Sequence, residues 1–301
     1  MITVLVLLGL GVVAARVPAL PDRTPAALDW LVIWLALPGL ILDRVVDLDL
    51  DATAVVPIAV AWGTLVLLAL LVLGVGRARG WSRRTIGTML IVVPLGNTSF
   101  LGFPAIEALI GAEHLPYAVI YDQLGTFLAL ATWGSVIAAR YGAGSSPTIG
   151  ATVRRVLTFP PFVALLAAVV LRQVALPDDV DRIVFDVAGT YGDMLTPLVM
   201  LAIGMRLRLP TSWTTIEPLG VGLALRLAVA PAAAYGAALL LDGSGLSWDT
   251  SVLEAAMPPM VTAGIVATSA GLDEEVATAL VGVGVLSAMV TLPLWSSVLT
   301  G

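Results

Sequence analysis

The chain has 301 residues, of which 59% are apolar and 12% are charged; its formal net charge is −6 and its mean hydropathy is +1.01. Soluble globular domains are about 45–50% apolar and about 25% charged, so this composition excludes that class and indicates an integral membrane protein. The sequence has no cysteine, which excludes disulfides, thiolate metal sites and a cysteine nucleophile.

Apolar stretches separated by charged or Pro/Gly-rich loops predict ten membrane spans, because a helix needs roughly 20 apolar residues to cross a bilayer. No basic segment precedes the first stretch, so we expect a membrane helix there and not a signal peptide. The predicted spans, in chain order, are residues 1–16, 28–42, 53–74, 85–110, 115–139, 158–176, 187–205, 216–240, 250–271 and 276–299.

Arginines follow the third, fifth and seventh predicted spans, whereas aspartates dominate the loops at the opposite ends. Because cytoplasmic loops carry the excess of basic residues, these arginine loops are predicted to be cytoplasmic and both termini to lie outside. The protein is therefore expected to be a multi-pass protein of the cytoplasmic membrane. The arginines concerned are Arg77, Arg79, Arg83, Arg84, Arg140, Arg154, Arg155, Arg206 and Arg208.

An internal repeat is indicated at an offset near 160 residues. "LALPGLIL" at 35 matches "MLTPLVML" at 194, which places Pro38 over Pro197, and Pro57 falls over Pro218. Five helices per copy is an odd number, so the copies must insert in opposite orientations, as in many secondary transporters. Chance similarity among proline-containing apolar helices is the alternative. The predicted divisions are a first repeat at 1–142, a cytoplasmic linker at 143–157 and a second repeat at 158–301.

The fourth and ninth predicted spans are both interrupted. The stretches concerned are "PLGNTSFLGFP" at 94–104 and "AAMPPMVTAG" at 255–264. Their prolines lack the backbone N–H that a continuous helix needs, and their glycines have low helix propensity. If the breaks are real, each second half-helix begins near mid-membrane with unsatisfied N–H groups, which suits an anion. A packing kink is the alternative. The predicted breaks are Pro94, Gly102, Pro104, Pro38, Pro197 and Gly264.

Several motifs carry a family resemblance: "GNTSFLGFP" (96–104), "YDQLG" (121–125), "TPLVMLAIGMRL" (196–207), "RLAVAP" (226–231), "AAMPPM" (255–260) and "TLPLW" (291–295). Together they resemble the auxin efflux carrier family, which includes the plant PIN carriers and bacterial permeases. The resemblance implies an all-α membrane fold like that of bile-acid transporters and sodium-proton antiporters. Helices one, two, six and seven would form a dimerising scaffold. Helices three to five and eight to ten would form a mobile transport domain in which broken helices four and nine cross.

The resemblance also implies a substrate site at the crossing. The plant carriers have a Pro-Asn pair at the first break, where this chain has Gly96 and Asn97. At the second break Pro258 matches, whereas Pro259 replaces a polar neighbour. Polar side chains there can contact substrate or cap a half-helix. The candidate substrate-binding residues are Gly96, Asn97, Thr98, Ser99, Pro258, Pro259, Met260, Thr262 and Arg226.

Ionisable residues within the spans are functional hypotheses by default. Arg226 is expected either to bind a substrate carboxylate or to pair with Asp122 or Asp193. Asp122, Glu254 and Asp193 are candidate coupling residues for a proton or sodium, although Asp193 is also expected to satisfy backbone near Pro197 and Glu254 to be a solvated vestibule residue. The single histidine, His114, is expected in an external loop, on the surface.

These features predict a secondary transporter of a small organic anion, such as a mono- or dicarboxylate, that works by elevator-like movement of one domain against a dimeric scaffold. Efflux is suggested by the family resemblance alone. An ion channel, a membrane-embedded enzyme and a sensor are the alternatives. An enzyme is disfavoured because one histidine cannot supply a metal cluster, no histidine after residue 114 could act as the base for a serine nucleophile, and "GSGLS" at 243 lies in a loop. No cofactor, metal or nucleic acid is expected.

Overall fold

The computed structural model describes residues 2–21, 23–45, 52–142, 148–173, 177–206 and 216–300. The regular structure in these ranges is helical. We number the main helices α1 (Ile2–Ala14), α2 (Thr24–Val45), α3 (Val55–Ala78), α4 (Arg83–Val92), α5 (98–109), α6 (115–141), α7 (Ile149–Leu157), α8 (Pro160–Leu171), α9 (Asp178–Asp193), α10 (Leu195–Arg206), α11 (Ile216–Leu240), α12 (Leu246–Ala255), α13 (Val261–Ser269) and α14 (Glu274–Thr300).

Within the described ranges, five helical segments are long and apolar enough to cross a membrane by length and composition. They are Thr24–Val45, Ala52–Ala78, Arg182–Arg206, Ile216–Leu240 and Glu274–Thr300. The predicted fourth and ninth spans are absent from this set because each is divided into two shorter helices, α4 with α5 and α12 with α13. The chain is therefore a multi-pass membrane protein, and the ten-helix inverted repeat stays a prediction.

The helices form two packed groups. In the first, α1 packs on α10, and α2 packs on α8, α9 and α10. Glycines allow these backbones to touch: a Cβ atom on Gly11 would lie 2.9 Å from the Cα of Gly204, and one on Gly39 would lie 2.6 Å from the carbonyl oxygen of Ala188. Close approach at small residues is the usual way in which helices associate in lipid.

The second group consists of α3 to α6 and α11 to α14. Here α3 packs on α6 and α12, while α4 packs on α13 and α14. Buried side chains such as Met89, Leu90, Ala277 and Leu280 form its core. The two groups meet where α2 contacts α6 and α10 contacts α5. This arrangement places the interrupted helices inside the second group, with α5 facing the first.

The predicted breaks have different local structures. Pro94 lies in the non-helical stretch between α4 and α5, but Pro38 lies inside α2, two residues after the end of a π-helical turn at Val32–Ala36. Pro197 lies in the first turn of α10, where its missing N–H is not needed. The prediction of a break at Gly264 is wrong, because α13 continues through it. A Cβ atom at this position would lie 3.1 Å from Val281, so the glycine serves helix packing.

A candidate substrate site where two broken helices cross

The two interruptions lie against each other. The Asn97 N–H donates to the Pro258 carbonyl at 2.8 Å, and the Met260 N–H donates to the Leu95 carbonyl at 2.9 Å. Gly96 and Pro259 thereby form an antiparallel bridge. Unpaired backbone groups are very unfavourable in a membrane interior, so each break can exist because the other satisfies part of its backbone.

Four helix ends meet at this crossing. Helices α4 and α12 end there with unsatisfied carbonyls, and α5 and α13 begin there with unsatisfied N–H groups. The carbonyl ends carry partial negative charge and the N–H ends partial positive charge. The crossing therefore offers one set of positions for a cation and another for an anion.

Arg226 occupies the cation position. Its side chain is 1% exposed. Its guanidinium donates to the carbonyls of Met257 at 2.7 Å, Pro94 at 3.0 Å and Glu254 at 3.2 Å. These acceptors belong to the carbonyl ends of both α4 and α12, so a single positive charge satisfies the ends of two half-helices.

Gly96 leaves the space that the guanidinium fills. A Cβ atom on Gly96 would overlap Nη2 of Arg226, a contact too close for any side chain. The absence of a side chain at Gly96 is therefore matched to the position of the Arg226 guanidinium.

Arg226 does not form the ion pairs expected from the sequence. In the described residues neither Asp122 nor Asp193 lies within ion-pair distance of it, so the pairing interpretation is wrong. Asp193 is exposed and lines a cavity away from the crossing. A direct substrate contact of Arg226 stays a prediction, beside the structural role that the carbonyls give it.

Two side chains at the crossing are fully buried without hydrogen-bond partners. Asn97 is 0% exposed, and neither its amide nitrogen nor its amide oxygen is paired; both carboxylate oxygens of Glu254 are likewise buried and unpaired. Asn97 does not cap α5 with its side chain. Buried polar atoms are nearly always hydrogen-bonded in proteins, so these exceptions mark groups that are available to a ligand or a coupling ion.

Asp122 has the opposite environment. It is 2% exposed, and it accepts hydrogen bonds from the Thr98 hydroxyl at 2.5 Å and from the Gln123 amide at 2.6 Å. Two charge-assisted bonds satisfy a buried carboxylate far better than none. Asp122 and Glu254 are thus chemically distinct, although both lie beside the crossing.

Three of the polar residues at or beside the crossing lie in π-helical turns. Thr98 begins the turn Thr98–Gly102, Asp122 lies in Tyr121–Phe127, and Arg226 lies in Leu225–Val229. Such turns are rare and occur often at functional sites, because they re-aim side chains within a helix. No sequence pattern indicated these turns, and Gln123 was not among the predicted site residues.

Two cavities are lined by residues of both helix groups. One of about 340 Å³ is lined by Phe100 and Thr262 of the second group and by Ile203 and Arg206 of the first. Arg206 there donates to Asp29 at 2.5 Å. The other, of about 460 Å³, is lined mainly by α1, α2, α5, α9 and α10, with Asp43, Arg44, Glu107, Asp193 and Pro197 among its residues. Asn97 lines neither cavity.

Comparison with known proteins decides the family. A family model described as "Membrane transport protein" matches residues 1–296. The chain belongs to this family. It is 28% identical over 310 residues to an uncharacterized transporter of Methanothermobacter thermautotrophicus, covering 99% of this chain and 97% of the relative. It is also 23% identical over 220 residues to an uncharacterized transporter of Methanocaldococcus jannaschii, covering 71% of this chain and 68% of that one.

The family assignment confirms the resemblance to auxin efflux carriers. For this family member the structure brings most of the predicted site residues to the crossing: Gly96, Asn97, Thr98, Pro258, Pro259, Met260, Arg226 and Glu254. Ser99 follows in the same π-helical turn and is half-buried, and Asp122 joins through Thr98. Thr262 lines the cavity of about 340 Å³. Asp193 is the predicted site residue that lies elsewhere.

Two surface assignments are wrong. Glu254 is fully buried and not a vestibule residue, because α12 ends inside the protein against Gly102. His114 is 6% exposed, and its Nδ1 lies 2.9 Å from the Thr250 hydroxyl of α12. The loop that precedes α6 folds onto α12, which a sequence pattern could not show.

Replacement of Arg226 by alanine should destabilise the protein. The change leaves the buried carbonyls of Pro94, Glu254 and Met257 without this donor, so we expect the free energy of unfolding to fall by about 3 kcal/mol or more. Chemical unfolding in detergent measures it. The control is Arg79→Ala, which removes an exposed arginine and should change stability little. Equal stability of Arg226→Ala and wild type would contradict the structural role.

Replacement of Gly96 by alanine should destabilise the protein for a related reason. The added methyl group overlaps the Arg226 guanidinium and displaces it from its acceptors. The matched control is Gly74→Ala, also in the membrane, where nothing lies within 4 Å of the new Cβ and the helix gains up to about 1 kcal/mol. Thermal unfolding of both variants should therefore shift in opposite directions; a neutral Gly96→Ala would be incompatible with the close contact.

Proposed function

We propose that this protein is a secondary transporter that moves a small organic anion, such as a mono- or dicarboxylate, across the cytoplasmic membrane. The observation that carries the proposal is the fully buried, unpaired amide of Asn97 at the start of α5. An N–H donor at the amino end of a helix favours a negative group. The amide can donate to a carboxylate in a region that excludes water.

The arrangement of the helices supports alternating access by an elevator-like movement. The two groups contact each other across a boundary where both cavities are lined by residues of both groups. Under the positive-inside rule, the cavity with Arg206 faces the cytoplasm and the cavity with Asp43 and Glu107 faces outward. Movement of the second group against the first would open the crossing to each cavity in turn. We further propose an inverted repeat of ten spans, a homodimer formed by the first group, and efflux as the direction.

The charge at the crossing favours coupling to a cation. With all groups ionised, one guanidinium and two carboxylates, those of Asp122 and Glu254, lie at or beside the crossing, and an entering anion would add a second excess negative charge. A buried unpaired charge is very costly, so a proton or sodium ion must accompany the anion. Glu254 is the coupling residue in this proposal, because Asp122 already has two donors and Asp193 is exposed.

Replacement of Asn97 by alanine tests the substrate site. The Asn97 amide has no partner to lose, so we expect the fold to persist. Affinity for carboxylates should fall about tenfold, the effect of one hydrogen bond. Thermal-shift titrations with malonate, malate, pyruvate and benzoate, followed by counterflow in liposomes, measure this. Gln173→Ala, which removes an exposed amide, is the control. If none of these acids stabilises the wild type, or if Asn97→Ala responds equally, the assigned site is wrong.

Replacement of Glu254 by glutamine tests the coupling role. The neutral side chain should still allow exchange of substrate for substrate, but uptake should no longer respond to an imposed proton or sodium gradient. Parallel assays of counterflow and gradient-driven uptake separate the two effects. Glu107→Gln, at an exposed carboxylate, is expected to behave like the wild type. Gradient-driven uptake that survives in Glu254→Gln would remove this residue from the coupling step.

A further inference from the structure

A third cavity lies far from the crossing, at the ends of the helices. Its volume is about 840 Å³, and it is formed by α6, by α7 and by the first residue of α4. Apolar side chains line most of it, with two arginines at one end: Ala131, Val136, Ala139, Ile149, Val153, Arg83 and Arg140. No Asp or Glu is among its lining residues. The cavity therefore combines an apolar wall with an uncompensated positive charge.

The two arginines are held close together. Arg83 donates through Nη2 to the backbone carbonyl of Arg140, and its guanidinium lies 5.4 Å from the centre of the Tyr141 ring. The Arg140 guanidinium has no ion pair or hydrogen bond with the described part of the chain. Its donors are available to a ligand. Arg83 also keeps donors free, since a guanidinium has five and one is used here.

Two of the three hydroxyl groups that line the cavity do not compete for the same role. Thr132 and Ser135 each donate to the carbonyl four residues earlier in α6, both at 2.7 Å. Their hydrogens are engaged, so the charged donors for a ligand are the two arginines, beside the Thr152 hydroxyl. Guanidinium groups are well suited to phosphate oxygens, which they bind in bidentate fashion.

Helix α7 presents an apolar row beside the arginines. Ile149, Val153 and Leu157 lie four residues apart on one face and are 85%, 49% and 55% exposed. Arg154 lies off this row and is also exposed. A short helix with one apolar face and one basic face is typical of the boundary between headgroups and acyl chains. Helix α7 contacts α6 at Leu130–Gly134 and shares the lining of the cavity with Arg83, the first residue of α4.

We propose that this cavity binds one anionic phospholipid. Arg83 and Arg140 hold the phosphate, while Val136, Ile149 and Val153 cover an acyl chain. Basic pockets beside membrane helices recognise anionic headgroups through the same combination of charge and apolar surface. The lipid lies where α7 links α6 of the second helix group to α8 of the first, so it contacts the connection between the two groups. The inference does not depend on which substrate is carried.

Native mass spectrometry of the purified protein tests the proposal. Wild type should retain phosphatidylglycerol in preference to phosphatidylcholine. Each arginine removed should weaken phosphatidylglycerol binding about fivefold, so Arg83→Gln with Arg140→Gln should weaken it about 25-fold. The control is Arg77→Gln with Arg79→Gln, which removes two exposed charges from the same end of the helices but outside the cavity. This control should keep the preference.

Two further arms distinguish the parts of the site. The double variant Ile149→Asn with Val153→Asn should bind phosphatidylglycerol more weakly. The thermal midpoint of the lipid-free protein should not change, because both side chains are exposed. Glycerol phosphate, which lacks acyl chains, should not displace the lipid at equal concentration. The proposal is overturned if the cavity and control double variants behave alike, if phosphatidylcholine binds equally well, or if glycerol phosphate competes fully, which would indicate a site for a soluble anion.

Discussion

The structure depends on one buried guanidinium. Arg226 lies where the carbonyl ends of α4 and α12 meet and donates to backbone oxygens from both. Without it, two helices that stop inside a membrane would leave carbonyls unsatisfied in a region without water. The backbone bridge between Gly96 and Pro259 aligns the breaks, and the arginine offsets the negative ends that the breaks create.

Because Arg226 binds the carbonyl ends of α4 and α12, the N–H ends of α5 and α13 remain available for a ligand. The residues that precede α5 and α13, Asn97 and Met260, make no side-chain hydrogen bond that caps these helices. Asn97 stands at the first of these starts with an unpaired amide. The arginine stabilises the carbonyl ends, and an anion can bind at the N–H ends. The same interrupted helices therefore provide both a stable crossing and a site for a carboxylate.

The positions of the two helix breaks could be predicted from the sequence, whereas the hydrogen-bond partners of Arg226 could not. Prolines and glycines in two apolar stretches are local signals, so the breaks near Pro94 and Pro258 could be located, and the family resemblance identified Asn97. The acceptors of Arg226 come from chain segments up to 132 residues away and are backbone atoms, which carry no residue-specific signal. An expected ion pair with Asp122 failed because Thr98 and Gln123 already satisfy that carboxylate. Glu254 and His114 were placed at the surface because sequence position alone does not show which loops fold inward.

An experimental structure of the protein with a bound dicarboxylate would test the central claim most directly. The account predicts the carboxylate within hydrogen-bond distance of the Asn97 amide, near the first turn of α5, while the Arg226 guanidinium stays on the carbonyls of Pro94, Glu254 and Met257. A carboxylate bound to Arg226 with those carbonyls released, or a substrate that contacts neither α5 nor α13, would contradict it.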